Sequence, residues 1–105
     1  MTENITMTIE KQRQGAELTV MLEGRLDTAS APDLDAVVKN ELLGVDTFIL
    51  DLKKLQYTSS AGLRVILIAQ KTMNKQGKLI LKNVSEAVME VFEMTGLSDL
   101  LTIES

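Results

Sequence analysis

The sequence predicts an α/β fold in which a small mixed β-sheet packs with helices, in the order β-β-α-β-α-β-α-β. Apolar and polar residues alternate near the amino terminus, which is typical of an antiparallel hairpin. Two short apolar runs, at residues 48–52 and 78–82, are typical of strands buried on both faces of a sheet. Helical apolar periodicity separates these strands, so we expect parallel, right-handed crossovers. The length of 105 residues fits one domain.

The predicted hairpin consists of two strands in which every second residue is apolar. Residues 13–16 contain a glycine and form the turn between the strands. Because apolar side chains at a period of two lie on one face, each strand should be buried on one side only. The apolar positions are Ile5, Met7 and Ile9 in the first strand and Leu18, Val20 and Leu22 in the second.

The first helix follows the loop at residues 24–27. Thr28 or Ser30 can cap its free backbone amides, and Pro32 suits a first turn because it lacks an N–H group. We expect Gly44 to end this helix. Its apolar stripe is Leu34, Val37, Val38 and Leu42.

The remaining elements alternate strand and helix. The strand at 48–52 leads through a connection at 53–57 into a second helix over residues 60–76, which stops at Gly77. Ser85 caps a third helix that carries Val88, Val91 and Phe92. Gly96 stands where a left-handed carboxyl-terminal cap is expected, and residues 100–103 form an edge strand.

The composition excludes several classes of function. The chain has no cysteine and no histidine, which removes thiolate chemistry, the commonest general base and the commonest metal ligand. The net charge of −4, with 11 basic residues among 15 acidic ones, disfavours nucleic-acid binding. No apolar run approaches a membrane span, and the amino terminus lacks the pattern of a signal peptide. We expect a cytoplasmic protein with no cofactor, no metal and no insertion into a membrane.

The turn at residues 57–63 is the candidate site, because ligands of α/β sheets bind where strands hand over to helices. Hydroxyl groups there can cap a helix, and the positive end of the helix dipole favours an anion. On a helical wheel the core face contains Gly62, Val65, Ile66, Ala69 and Met73. The outward stripe contains Ser60, Arg64, Leu67, Ile68 and Lys71, which suggests a surface for a partner.

Simpler interpretations of the same residues stay open at this point. A serine at a helix start is most often only a cap. Leu67 and Ile68 could lie beneath the third helix. Gly62 could serve the close packing of helix and sheet rather than a ligand.

Several segments resemble the STAS family, which contains anti-sigma factor antagonists and the cytosolic tails of sulphate transporters. Its usual motif is a strand ending Asp-Leu, an aromatic and an apolar residue, then Asp-Ser-Ser/Thr-Gly-Leu and a helix. Segment 51–67, DLKKLQYTSSAGLRVIL, is similar to that motif. Segments 24–27 (GRLD), 83–85 (NVS) and 94–97 (MTGL) resemble other turns of the family. The resemblance implies one STAS domain over residues 1–105.

The resemblance also implies a function. In the antagonists, the first serine after the motif aspartate is phosphorylated by an anti-sigma factor that is itself a serine kinase, and a phosphatase resets the cycle. That serine is Ser60 here. The unphosphorylated form would bind the anti-sigma factor and release the sigma factor. Together with the outward stripe of the second helix, the predicted partner-binding residues are Asp27, Thr28, Thr58, Ser59, Ser60, Ala61, Gly62, Arg64, Leu67, Ile68 and Lys71.

Two positions depart from the family motif. Ser59 stands in place of the aspartate and becomes a competing phosphoacceptor, with Thr58 a more distant one. Ala61 replaces the second hydroxyl residue, which favours Ser60.

Two other functions are consistent with the sequence. A non-switching adaptor subunit of a transporter or of a larger signalling assembly would need no phosphoacceptor. A small nucleotide-binding enzyme is disfavoured, because residues 58–63 lack the lysine and glycines of a phosphate loop. Without a catalytic constellation, we expect a protein that is not an enzyme.

Overall fold

A computed structural model describes residues 7–104 of the chain. Five strands and three helices follow in the predicted order β-β-α-β-α-β-α-β, which confirms the α/β fold with a mixed sheet. Ile5, predicted in the first strand, lies outside the described residues. The strands are β1 (Met7–Gln14), β2 (Glu17–Leu26), β3 (Thr47–Thr58), β4 (Lys78–Lys82) and β5 (Thr102–Glu104). The helices are α1 (Ala31–Asn40), α2 (Ser60–Asn74) and α3 (Glu86–Met94), and a 3-10 helix spans Leu97–Asp99.

The sheet follows the order of the chain, β1-β2-β3-β4-β5. The pair β1–β2 is antiparallel, and the other three pairs are parallel. Because Phe48, Leu50 and Leu52 alternate with Ile49 and Asp51, they project to one face of β3. That face joins side chains of all three helices in one core, whereas Ile49 lies outside this cluster. The helices therefore pack on one face of the sheet.

The most consequential difference from the sequence prediction concerns β3. Residues 53–57 were expected to be a connection, but they continue the strand as far as Thr58. The reason is tertiary, because β2 runs on to Leu26 and the two strands keep pairing through register shifts after Met21 and Gly24. Between residues 53 and 57 exposed and buried residues do not alternate regularly, so the local sequence does not predict a strand in this segment. The extension carries the serine turn to the end of a 12-residue strand.

Element ends account for the other corrections. Arg13 and Gln14, predicted in the turn, belong to β1, so the turn consists of Gly15 and Ala16. Helix α1 ends at Asn40, before Gly44, and α2 ends at Asn74 rather than at residue 76. The last strand begins at Thr102 because residues 97–99 form the unpredicted 3-10 helix.

Several local predictions are confirmed. Val65, Ile66, Ala69 and Met73 are buried on the core face of α2, as is Gly62. The Ser85 hydroxyl accepts a hydrogen bond from the Val88 N–H at 3.3 Å and caps α3. Gly96 has the expected left-handed conformation, with φ of 78°. The predicted stripe of α1 and the residue beyond it are buried as well: Leu34, Val37, Val38 and Leu42.

Candidate functional site

The site lies where β2 and β3 end side by side. Leu26 and Thr58 are register partners at the ends of these two parallel strands. The Ser59 N–H donates a hydrogen bond to the Leu26 carbonyl oxygen at 2.8 Å. Both strands end at this edge of the sheet. From β2 the chain continues toward α1, and from β3 it continues into α2. The loop at residues 27–30 and the serine turn are therefore held next to each other.

Ser59 is the amino-terminal cap of α2. Its backbone is extended, with φ of −94° and ψ of 176°, and its Oγ accepts a hydrogen bond from the Gly62 N–H at 3.4 Å. The side chain satisfies one of the free amides at the helix start. Ser60 is the first residue of the helix and is exposed. The two adjacent hydroxyls therefore differ: the first has a structural role and the second faces solvent.

Thr58 and Gly62 form the layer beneath the exposed turn. Thr58 is only 3% exposed, and its hydroxyl donates to the Ser59 carbonyl oxygen at 3.3 Å. A Cβ atom added to Gly62 would lie 2.6 Å from the Leu26 Cγ and from the Thr58 Oγ1, closer than such atoms approach. Gly62 therefore allows α2 to approach the end of β2. Both residues support the site from below rather than contribute exposed surface.

The loop before α1 is organised around Asp27. The Asp27 Oδ1 accepts hydrogen bonds from the Ala29 N–H at 3.0 Å and the Ser30 N–H at 3.1 Å. Burial alone would raise the pKa of the Asp27 carboxyl, but hydrogen bonds from Ser30 and Ala29 and the charge of Arg25 outweigh it, so the pKa lies below its ordinary value. Asp27 therefore fixes the loop as a carboxylate.

Ser30 occupies the cap position of α1, but its hydroxyl makes no cap bond. Its Oγ accepts from the Asp27 N–H at 2.9 Å and donates toward the Arg25 carbonyl oxygen at 2.7 Å. The prediction of a side-chain cap by Ser30 is thus wrong, because the hydroxyl closes the Asp27 loop instead. Thr28, the alternative, is not the cap either, because the cap position is Ser30; it is exposed and lines the same groove as Ser60.

A groove of about 580 Å³ separates α1 from α2. Its α2 wall includes Ser60, Ala61, Arg64 and Ile68, all predicted from the sequence as site residues. Ile68 is 37% exposed. The other wall includes Thr28 together with Asp35 and Lys39, which form an ion pair at 2.8 Å. Sequence reasoning missed Asp35 and Lys39, and their only local signal is the four-residue spacing of opposite charges.

Two members of the outward stripe lie outside this groove. Leu67 is half-buried and packs against the core. Lys71 is exposed farther along α2. The stripe read from the helical wheel is therefore heterogeneous: Ser60, Arg64 and Ile68 line the groove, while Leu67 mainly contributes to packing.

Another unpredicted contact joins the two strand ends. The Arg25 guanidinium lies over the Tyr57 ring, 4.2 Å from its centroid. Cation–π contacts of this kind are worth about 0.5–1 kcal/mol at exposed sites. Arg25 and Tyr57 are register partners, so the contact follows from the strand pairing that the local sequence did not indicate.

Within residues 7–104, no cluster of three or more acidic, cysteine or histidine side chains is placed to hold a metal ion. None of the helices in that range is long and apolar enough to cross a membrane.

Residues 8–105 match the model of the STAS domain. The chain is 36% identical to the protein BtrV of Bordetella bronchiseptica over 82% of this chain and 76% of the relative. It is 32% identical to the anti-sigma-B factor antagonist of Bacillus subtilis, over 96% of this chain and 94% of the relative.

Two solved structures of the anti-sigma factor antagonist SpoIIAA are similar in fold. The unphosphorylated form has a TM-score of 0.81 at 22% identity, covering 93% of this chain and 89% of SpoIIAA. The phosphorylated form has a TM-score of 0.74 at 20% identity, covering 93% of this chain and 92% of that structure's chain. With the domain match across nearly its full length, this chain belongs to the STAS family.

Proposed function

We propose that this chain is an anti-sigma factor antagonist that binds its partner through the α1–α2 groove while Ser60 is unmodified. Phosphorylation of Ser60 by the kinase activity of that partner ends the binding, and a phosphatase restores it. The relative from Bacillus subtilis carries the name of such an antagonist. The observation that carries the proposal is that Ser60 is exposed and lines a groove together with Arg64 and Ile68.

The environment of the hydroxyl groups favours Ser60 over its neighbours as the phosphoacceptor. A kinase must reach the oxygen from solvent, and Thr58 is buried. The Ser59 Oγ is committed to the cap of α2, so its modification would remove a hydrogen bond from the helix start. Modification of Ser60 breaks no hydrogen bond recorded for the described residues.

The switch acts on binding rather than on folding. A phosphate on Ser60 adds about −1.5 to −2 charges at neutral pH. The amides and dipole at the start of α2 stabilise this charge by about 0.3–2 kcal/mol, so the domain tolerates it. In a complex, the same dianion would have to be desolvated against the partner surface. A penalty of about 3–4 kcal/mol weakens binding several-hundred-fold.

A capture experiment with matched baits tests the proposal. Wild type, Ser60→Ala and Ser60→Asp are immobilised and exposed to a lysate of the native cell, and retained proteins are identified by mass spectrometry. We expect an anti-sigma factor on wild type and Ser60→Ala and its loss from Ser60→Asp. Thermal melts of the three baits should agree, which excludes unfolding as the cause. Equal retention by Ser60→Asp would contradict the mechanism.

Incubation of the captured partner with the chain and ATP then tests the modification. We expect phosphate on Ser60 in wild type, none on Ser60→Ala, and continued modification of Ser59→Ala. Stable binding without modification of any serine would instead support the adaptor function.

A further inference from the structure

The groove between α1 and α2 holds one cation that forms no ion pair within residues 7–104. On its α1 wall, the Lys39 Nζ pairs with the Asp35 Oδ2 at 2.8 Å. On its α2 wall, Arg64 forms no salt bridge with any described residue. The Asp35 Oδ1 is buried and has no hydrogen-bond partner among those residues. A negative charge added to this groove would therefore be repelled by Asp35 on the α1 wall and attracted by the guanidinium of Arg64 on the α2 wall.

Ser60 and Arg64 are separated by one turn of α2. Residues four apart on a helix are neighbours on its surface, with Cβ atoms about 5–6 Å apart. A guanidinium can bind a phosphate with two parallel hydrogen bonds, which a lysine cannot do. Lys71, the next exposed cation predicted on this face, is 11 residues from Ser60, or about 16 Å along the axis at 1.5 Å per residue.

We propose that Arg64 is the internal receptor of a phosphate on Ser60. Its guanidinium binds the phosphate oxygens and holds them in the groove, beside Ile68. The bound phosphate then occupies the part of the α1–α2 groove between Ser60 and Arg64, so a partner is excluded from that part by bulk as well as by charge. This inference rests on the proposed modification of Ser60 and gives that modification a structural consequence.

Three charged side chains, Arg64, Asp35 and Lys39, line the groove around a phosphate at this position, and Asp27 lies in the adjoining loop. Arg64 attracts the phosphate, whereas the Asp35 carboxylate opposes it and is only partly neutralised by Lys39. Asp27, in the loop before α1, is held as a carboxylate by backbone hydrogen bonds. Because the Lys39 ammonium is already paired with Asp35, Arg64 is the cation whose removal should most affect the phosphate.

The test places phosphoserine at position 60 during synthesis, so that no kinase or partner is needed. The titration of the phosphate is followed by phosphorus NMR in wild type, Arg64→Gln, Arg64→Lys and Lys71→Gln. A nearby cation stabilises the dianion and lowers the midpoint of the titration, which is near pH 6 for free phosphoserine. We expect Arg64→Gln to raise the midpoint by about half a pH unit, and Arg64→Lys to raise it less.

Lys71→Gln is the matched control, because it removes the same charge from the same helix at a larger distance. It should change the midpoint by a small fraction of the Arg64→Gln effect. Equal midpoints in Arg64→Gln and Lys71→Gln would overturn the inference. A higher titration midpoint in Lys39→Gln, with an unchanged midpoint in Arg64→Gln, would also overturn the inference, since the phosphate would then be bound by α1.

Failure of this inference is distinguishable from failure of the proposed function. Suppose that the phosphate titration depends on Arg64 but that no kinase modifies Ser60. Arg64 would then be supported as the phosphate-binding residue, and the proposed phosphorylation switch would be rejected. Modification and release of the partner without any dependence on Arg64 would support the switch and reject the receptor.

Discussion

The Ser59 N–H donates a hydrogen bond of 2.8 Å to the Leu26 carbonyl oxygen and so ties the start of α2 to the end of β2. The bond extends the parallel pairing of β2 and β3 by one residue beyond Leu26 and Thr58. It brings the Asp27 loop next to the serine turn, although Asp27 and Ser59 are 32 positions apart in the chain.

The capping role of Ser59 predicts a graded response to substitution. Ser59→Ala should lower the free energy of unfolding by about 0.5–1 kcal/mol, at the lower end for a lost cap because the bond to the Gly62 N–H is long, at 3.4 Å. Ser59→Asp should retain the stability, since aspartate is an equally good cap. Chemical denaturation measures both, and a loss in Ser59→Asp as large as in Ser59→Ala would argue against the cap.

Gly62→Ala should destabilise the chain by about 1–3 kcal/mol, because the new methyl group would overlap the Leu26 and Thr58 side chains. Alanine is otherwise the better helix former, so helix propensity predicts the opposite sign. Lys71→Ala, on the exposed face of the same helix, is the control and should leave the melting temperature nearly unchanged. A neutral or stabilising Gly62→Ala would mean that α2 can move away from β2.

Adjacent aliphatic residues on α2 should separate stability from binding. Leu67 packs against the core, so Leu67→Glu should cost about 1–3 kcal/mol by burying a charge. Ile68 is 37% exposed in the groove, so Ile68→Glu should lower the free energy of unfolding by about 1 kcal/mol or less. The same substitution should weaken binding of the proposed partner. Thermal melts and binding measured on both variants give the comparison. A greater stability loss in Ile68→Glu would place Ile68 in the core.

The lowered pKa of Asp27 predicts a pH-dependent contribution to stability. The folded chain binds the Asp27 proton less readily than the unfolded chain, so the carboxylate stabilises the fold above the ordinary value of 3.8. That contribution is lost as the pH falls through the lowered pKa. The difference in unfolding free energy between wild type and Asp27→Asn should therefore be greatest near neutral pH and shrink on acidification below about pH 4. A difference that grows on acidification would contradict the assignment.

The sequence by itself determined the fold class, the order of the elements and the core face of α2. These properties depend on local signals: a period of two in the hairpin, continuous apolar runs in β3 and β4, and a helical period in α2. It also singled out the turn that contains Ser60. The separate roles of Ser59 and Ser60 could not be read from their order, because both are serines at a helix start.

Only the tertiary structure decided the length of β3 and the second wall of the groove. Residues 53–57 form a strand because β2 provides partners for their backbone groups, and such partners are distant in the chain. Asp35 and Lys39 reach the site because α1 packs beside α2. Thr58 is likewise buried where α2 approaches the end of β2 at Gly62. Pairing and packing between distant segments leave little local trace in a single sequence, so the groove around Ser60 could be identified only from the tertiary structure.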